Sequence, residues 1–365
     1  MALGVSGGGA AGRLEREYGG TRVSEVFRVG VTRDFLDRDG RVSLGDIGLG
    51  LLDEAPGVEW EFLAEDAPEL AADHARGLDA LLVLAPRVTA ATLAGADRLA
   101  IVARFGVGYD SVDVEACTRS GVLLTITPDG VRRPVATSLI TLVLVLAQKL
   151  LIKDRLTRAG RWGERAAHMG LGLTGRALGL VGLGSIGREA ARLARSFDLR
   201  ILAYDPYVPA AEAAAVGAEL VELAVLLRTA DFVGITCALT AETFHLIDAE
   251  RLSLMKPTAY LVNVARGPIV DQAALTAVLR EKRIQGAAID VFEQEPVDPA
   301  DPILQLDNVV VTPHSICWTD ECFLGIGRAA IGSILDVAAG RTPRHVVNRA
   351  VLDHPRVKAR LRKPT

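Results

Sequence analysis

The chain has 365 residues, half of them hydrophobic and 24% charged, which is ordinary for a globular protein and enough for about two domains with separate cores. Its 41 Lys and Arg against 45 Asp and Glu leave a formal charge of −4, which argues against nucleic acid or an anionic membrane as the main partner. Four cysteines (Cys117, Cys237, Cys317, Cys322) form neither a CxxC pair nor a metal spacing with histidine, the pattern of a reduced, cytoplasmic protein without a metal.

Residues 1–24 are rich in Gly and Ala without periodicity and read as a disordered tail; they lack the basic start and apolar core of a secretory signal. From Val26 short apolar runs alternate with helical patterns. Strands are expected at 27–31, 58–63, 80–84, 99–103 and 122–125, with helices around 44–54, 67–77, 89–94 and 112–120. Such alternation implies a parallel sheet with helices on both faces, so the first domain is itself doubly wound. Pro128-Asp129-Gly130 and Pro134 punctuate its end, and a long helix is expected over 135–158. Residues 139–147 of that helix are apolar on almost every face, which calls for cover by a neighbouring domain or by a second copy in a homodimer. The run is shorter than the roughly 20 residues a bilayer span needs.

The next stretch carries the strongest signal. An apolar run (177–181) ends in Gly182-Leu183-Gly184-Ser185-Ile186-Gly187, an amphipathic segment follows with Ala190, Ala191, Ala194 and Phe197, and a second apolar run ends at Asp205. This is strand, glycine turn, helix, strand and acid, the layout of a dinucleotide site. Gly182 permits the tight turn, Gly184 lets the backbone approach a pyrophosphate, and Gly187 lets helix and strand pack closely. The helix amides and dipole favour the phosphates, and Asp205 would accept ribose hydroxyls and repel a 2′-phosphate. NAD is therefore the expected cofactor. Further strands are expected at 232–236, 260–264, 285–291 and 309–311, and a final helix over 320–339 returns to the first domain.

Hydride transfer to a carbonyl also needs a proton donor and an anchor for the substrate. Three strand ends offer them: Arg266 before Gly267, the acids Asp290, Glu293 and Glu295, and His314 after Thr312-Pro313. Ligands bind at the carboxyl ends of strands in open α/β sheets, so Arg266, Asp290, Glu295 and His314 could surround one crevice. Arg132 and Arg133, beside the hinge, read either as solvated or as selecting a second anionic or hydroxylated end of the substrate.

The motifs RFGVGYDSVD (104–113), GLVGLGSIG with Asp205, LVNVARGPIVD (261–271), AAIDVFEQEP (287–296) and VVTPHS (310–315) stand in the order found in the D-isomer-specific 2-hydroxyacid dehydrogenases. The chain resembles that family over residues 25–348. The resemblance implies an α/β protein of two doubly wound, Rossmann/flavodoxin-like domains, with a dinucleotide-binding domain (132–315) inserted into a substrate domain (25–131 and 316–348) and a basic tail (349–365) behind. It also implies roles: His314 as acid/base, Glu295 as its partner, Arg266 as substrate anchor, Asp290 near the nicotinamide carboxamide, and the Val107 and Gly108 amides on the substrate carboxylate. A carboxylate beside His314 favours the imidazolium that donates to the developing alkoxide. Ile126, Thr137 and Ala238 depart from the family pattern near the hinge and cleft, so substrate preference does not carry over. A corepressor-like dinucleotide sensor and a phosphite-type dehydrogenase remain alternatives on the same scaffold, and the expected substrate is a small 2-oxo or D-2-hydroxy acid.

Overall fold

The computed structural model describes residues 26–361, so the expected tail at 1–24 lies outside the described residues. Two parallel sheets form. The first contains β1 (Phe27–Val31), β2 (Val58–Phe62), β3 (Ala80–Val83), β4 (Ile101–Arg104) and β5 (Leu123–Thr125) in the order β2-β1-β3-β4-β5. β3 is buried along its whole length, and the Ala-Leu-Leu-Val run that predicts it is what a strand covered on both faces requires. The helices between these strands are shorter than their sequence patterns: α1 (Gly50–Asp53), α2 (Ala72–Ala75), α3 (Ala90–Leu93) and α4 (Val114–Arg119). Glycines at positive φ (Gly57, Gly77, Gly95 and Gly121) follow all four and help to end them within one or two turns.

The long helix differs from expectation in its start and in its continuity. α5 runs from Pro128 to Gln148, beginning at the proline read as punctuation, because Pro at the first helical position loses only an amide that has no partner there. Pro134, further along, is also inside it. Lys149, at φ 51°, breaks the helix before α6 (Leu150–Arg158). At 21 residues α5 is long and apolar enough to cross a membrane, contrary to the shorter run inferred from sequence, yet more than half of its apolar window is buried inside the protein.

The second sheet follows, with β6 (Ala177–Val181), α7 (Ser185–Ala194), β7 (Arg200–Tyr204), α8 (Ala210–Ala215), β8 (Ala218–Leu220), α9 (Leu223–Thr229), β9 (Phe232–Ile235), α10 (Ala249–Ser253), β10 (Tyr260–Asn263), α11 (Gln272–Arg280), β11 (Gly286–Ile289) and β12 (Val309–Val311). Its order is β12-β11-β10-β9-β6-β7-β8. The order reverses between β9 and β6, the place where such sheets open a crevice. The edge strand β8 had no sequence expectation, since its three residues Ala-Glu-Leu carry no strand pattern.

α12 (Asp320–Ala338) returns to the first domain. Its Cys322, Phe323, Ile326, Ile331 and Ile334 share a core with Val29, Leu82, Ile101 and Val131, while Ala136, Leu139 and Val143 of α5 join the core of the second sheet. One helix, α5, thus enters both cores. Residues 349–361 are not a loose basic tail: a 3-10 turn (Arg349–Asp353) and α13 (Pro355–Arg360) dock on the first sheet. Arg360 and Arg98 both bond the carboxylate of Asp79, which is 2% exposed, and Arg356 donates to the carbonyls of Asp97 and Ser120.

Candidate active site

The turn after β6 is built for a phosphate. Gly182 has φ +100° and its Cα faces the backbone of Cys237, which follows β9, so a side chain there would collide across the crevice. Gly187 is pressed onto the Gly182 carbonyl, whereas the space where a Gly184 side chain would stand is open. No side chain caps α7 at Gly184, which leaves the first amides of the helix, from Ser185, Ile186 and Gly187 onward, for an anion. At the end of β7, Asp205 accepts from the Leu183 amide at 2.8 Å and the Tyr207 amide at 3.0 Å. Arg188 is held by the Leu183 carbonyl and by Glu212. The bare backbone, the uncapped helix and the fixed carboxylate fit a dinucleotide without a 2′-phosphate.

Across the crevice, Nδ1 of His314 meets Oε2 of Glu295 at 2.7 Å. Glu295 also accepts from the Phe292 amide at 3.0 Å. Burial pushes its carboxyl up, but the hydrogen bonds from His314 and Phe292 and the charges of His314 and Arg266 more than offset this and hold it below the ordinary value. His314 has φ +51°, a left-handed conformation that costs a non-glycine residue about 1 kcal/mol or more. Asp290 is what holds it. The Asp290 carbonyl accepts from the His314 amide, and its Oδ1 accepts from Thr312 Oγ1 (2.6 Å), the Ser315 amide (3.0 Å) and the Ile316 amide (3.1 Å). Asp290, the residue expected near the nicotinamide carboxamide, is buried, and its Oδ1 organises the loop that carries His314.

Arg266 follows β10 through a turn set by Asn263, whose side chain bonds the Arg266 carbonyl and the Ala265 amide. Gly267 comes next because the backbone of Phe292 and Glu293 lies against it, leaving no room for a Cβ. That contact brings the Arg266 turn beside the Glu295 loop. The guanidinium then reaches the other domain: it covers Gly108, where any side chain would overlap it, and Nε bonds Asp110 at 3.3 Å. Among the described residues neither the Val107 nor the Gly108 amide donates to a protein acceptor.

Arg104, at the end of β4, had no role in the sequence reading. Its side chain folds over Gly106 and bonds the Phe105 carbonyl. Burial and the neighbouring charge of Arg266 pull its guanidinium down to about 10. Among the described residues its Nε and Oδ1 of Asp34 are buried without a partner. The available signal was a charged residue directly after the apolar Ile-Val-Ala of a buried strand. Arg132 and Arg133 behave otherwise: Arg132 lies 3.8 Å from Asp129 and Arg133 bonds Glu189 of α7 at 2.7 Å, so both are engaged in ion pairs outside this cluster.

Residues 140–315 match the family profile of the D-isomer specific 2-hydroxyacid dehydrogenase NAD binding domain. The glyoxylate reductase of Thermococcus onnurineus is 40% identical over 84% of this chain and 94% of its own length. Among solved structures, the TT0316 protein of Thermus thermophilus superposes with a TM-score of 0.75 at 31% identity, covering 88% of this chain and all of that one. The D-lactate dehydrogenase of Aquifex aeolicus, solved with NAD and lactic acid, superposes with a TM-score of 0.74 at 25% identity over 86% of this chain and 96% of its own. Two doubly wound domains, a dinucleotide turn ending in Asp205 and this similarity over most of the chain have one reading: the chain belongs to the D-isomer-specific 2-hydroxyacid dehydrogenase family and is an NAD-dependent enzyme.

Proposed function

We propose that the enzyme reduces a small, polar 2-oxo acid such as glyoxylate or hydroxypyruvate to the D-2-hydroxy acid, with His314 as proton donor. The observation that carries this reading is the His314–Glu295 pair at 2.7 Å beside a guanidinium, Arg266, that crosses to Gly108. NADH, when bound, supplies the hydride to the keto carbon. Glu295 accepts from Nδ1 and so leaves Nε2 of His314 to protonate the developing alkoxide. Arg266 grips the substrate carboxylate together with the Val107 and Gly108 amides, and its charge also stabilises the oxyanion by a few kcal/mol. Asp110 holds Arg266 in place before substrate arrives. Arg104 adds a second, half-buried cation next to Arg266, which favours compact, polar or doubly anionic acids over branched apolar ones. Relatives named glyoxylate reductase agree with that preference.

The test is kcat/KM with NADH over glyoxylate, hydroxypyruvate, pyruvate, oxaloacetate and 2-oxoisocaproate. Glyoxylate or hydroxypyruvate should lead, Arg104→Gln should raise KM for them, and Arg133→Ala should leave the panel unchanged. A lead for 2-oxoisocaproate would overturn the reading. NADPH should be a poor replacement for NADH, and Asp205→Ala should narrow the gap, since the carboxylate that repels a 2′-phosphate is gone. We also propose a homodimer, supported by the exposed Leu150, Leu151, Trp162 and Met169 on α6 and the segment after it.

A further inference from the structure

Of the three acids after β11, Glu295 has a part in the proposed reaction and Asp290 holds the His314 loop, which leaves Glu293. Its side chain and its backbone are both tied. Oε1 accepts from the Gln272 amide at 2.9 Å and from Nε2 of His245 at 2.8 Å, and its own amide donates to Oε1 of Gln272 at 3.0 Å. Gln272 opens α11, where the helix amides favour a carboxylate. Nε2 of Gln272 donates to Oδ2 of Asp301 at 2.7 Å, so its side-chain amide is fixed at both ends. His245 comes from another strand end, the loop after β9. Its amide donates at 2.8 Å to the carbonyl of Pro268, two residues beyond Arg266. Its φ is +49°, a strained conformation for a non-glycine residue, and its ring stacks on Phe244 with centroids 4.1 Å apart. The loops after β9, β10 and β11 therefore meet at the Glu293 carboxylate.

We propose that Glu293, clamped by His245 and Gln272, is a positioning residue for the reduction, and that through the Phe292–Glu293 peptide it sets both Glu295 and the Arg266 turn. The inference rests on the roles proposed above for Glu295, His314 and Arg266. On one side of this peptide, the Phe292 carbonyl and the Glu293 nitrogen lie against Gly267, directly after Arg266, where there is no room for a Cβ. On the other, the Phe292 amide donates to Oε1 of Glu295 at 3.0 Å. The Phe292 ring is anchored in the core of the second sheet. That fixes the residue but not the tilt of the peptide that follows it, which the bonds at Glu293 set. His245 and Glu293 are each about a third exposed, so their pair adds little to stability. Its effect is on geometry, and neither residue has to touch the substrate.

Releasing the clamp acts on the two partners in different ways. A weaker bond from Phe292 lets burial push the Glu295 carboxyl up, while the charged groups that face it, His314 and Arg266, stay in place. The acid limb of the pH–rate profile then moves to higher pH. A displaced Gly267 shifts the Arg266 turn and loosens its grip on the substrate carboxylate, which raises KM. Misplacing a reacting group by about 1 Å can cost up to roughly 100-fold, so a fall in kcat/KM of roughly 10- to 100-fold is expected.

The test compares full-length wild type with Glu293→Ala, His245→Leu, Glu293→Gln and Glu295→Gln, using NADH and the 2-oxo acid that leads the panel above. Measured are kcat and KM across pH, NADH affinity from its fluorescence, and Tm. Glu293→Ala and His245→Leu should show the fall in kcat/KM, the higher KM and the raised acid limb, with NADH affinity unchanged and Tm within a few degrees of wild type. Glu293→Gln keeps an oxygen that can accept the same two bonds, and should restore the acid limb and bring kcat/KM to within roughly threefold of wild type. If Glu293→Ala does not fold, His245→Leu carries the same test. Wild-type kinetics in Glu293→Ala or His245→Leu, a lower kcat/KM with an unmoved acid limb, or an equal loss in Glu293→Gln would each overturn the inference. Normal turnover by Glu295→Gln would overturn the reading beneath it as well. An impaired Glu295→Gln beside a normal Glu293→Ala would overturn this inference alone.

Discussion

At the scale of single residues, the site depends on carboxylates that act through their neighbours. Glu295 and His314 are both more than a third exposed, so their pairing adds little to stability, and its proposed part is to place the proton. His314→Ala should lower kcat by roughly 100- to 10,000-fold, and Glu295→Gln by less, because the second leaves the donor in place. Glu295 sits below its ordinary value in the fold, so its interaction with His314 is complete above the usual carboxylate range and is lost as pH falls through that lowered value. Glu295→Gln should therefore remove the acid limb that this carboxylate imposes on the pH–rate profile. An unmoved pH–rate profile would remove Glu295 from this role. Asp290→Ala should cost about 1–3 kcal/mol in denaturant unfolding, from the amides and hydroxyl left unpaired, and should lower kcat more than it raises KM. Asp290 was legible as a candidate from its strand-end position. Its hold on the 312–316 loop was not, because the partners lie more than twenty residues away.

Elements divide into those read well and those read poorly. Strands buried on both faces, such as β3 and β9, are continuous apolar runs, and their positions follow from the sequence to within a residue or so. Helices fared worse, since an apolar pattern persists beyond the point where a glycine or a cap stops the backbone. α13 shows the opposite error: its Pro-Arg-Val-Lys-Ala-Arg looks like a solvated tail, and Asp79 at Arg360, two carbonyls at Arg356 and the buried Val357 make it an element. Burial pushes the Asp79 carboxyl up, but the Arg28 amide and the guanidinium groups of Arg98 and Arg360 outweigh this and lower it. Its stabilising effect is present above the usual carboxylate range and is lost as pH falls through the lowered value. Asp79→Ala leaves those two guanidinium groups without this carboxylate and should destabilise the first domain by about 3 kcal/mol, read as a lower Tm with α13 amides losing protection from hydrogen exchange first. Unchanged protection in α13 would show that the helix docks by its apolar residues alone.

For the molecule as a whole, α5 connects the two cores and crosses α12 where Gly130 meets the backbone of Gly325 and Ile326. Gly130→Ala would push the helices apart at the domain junction, and a loss of about 1–3 kcal/mol with lower kcat is the expected outcome. The exposed apolar residues of α6 and Trp162 predict a dimer in sedimentation equilibrium, weakened by Leu151→Glu; a monomer at micromolar concentration would leave that surface without its proposed partner. What the sequence determined by itself was local or periodic: alternating strands and helices, the glycine turn with Asp205, and a set of charged residues at strand ends. These depend on backbone geometry and on patterns within about 30 residues, which a linear reading contains. What the tertiary structure decided was which charges meet. Arg104 rather than Arg132 or Arg133 stands beside Arg266, and Asp110 reaches Arg266 from the other domain, because contact between side chains is set by how the two sheets are placed against each other.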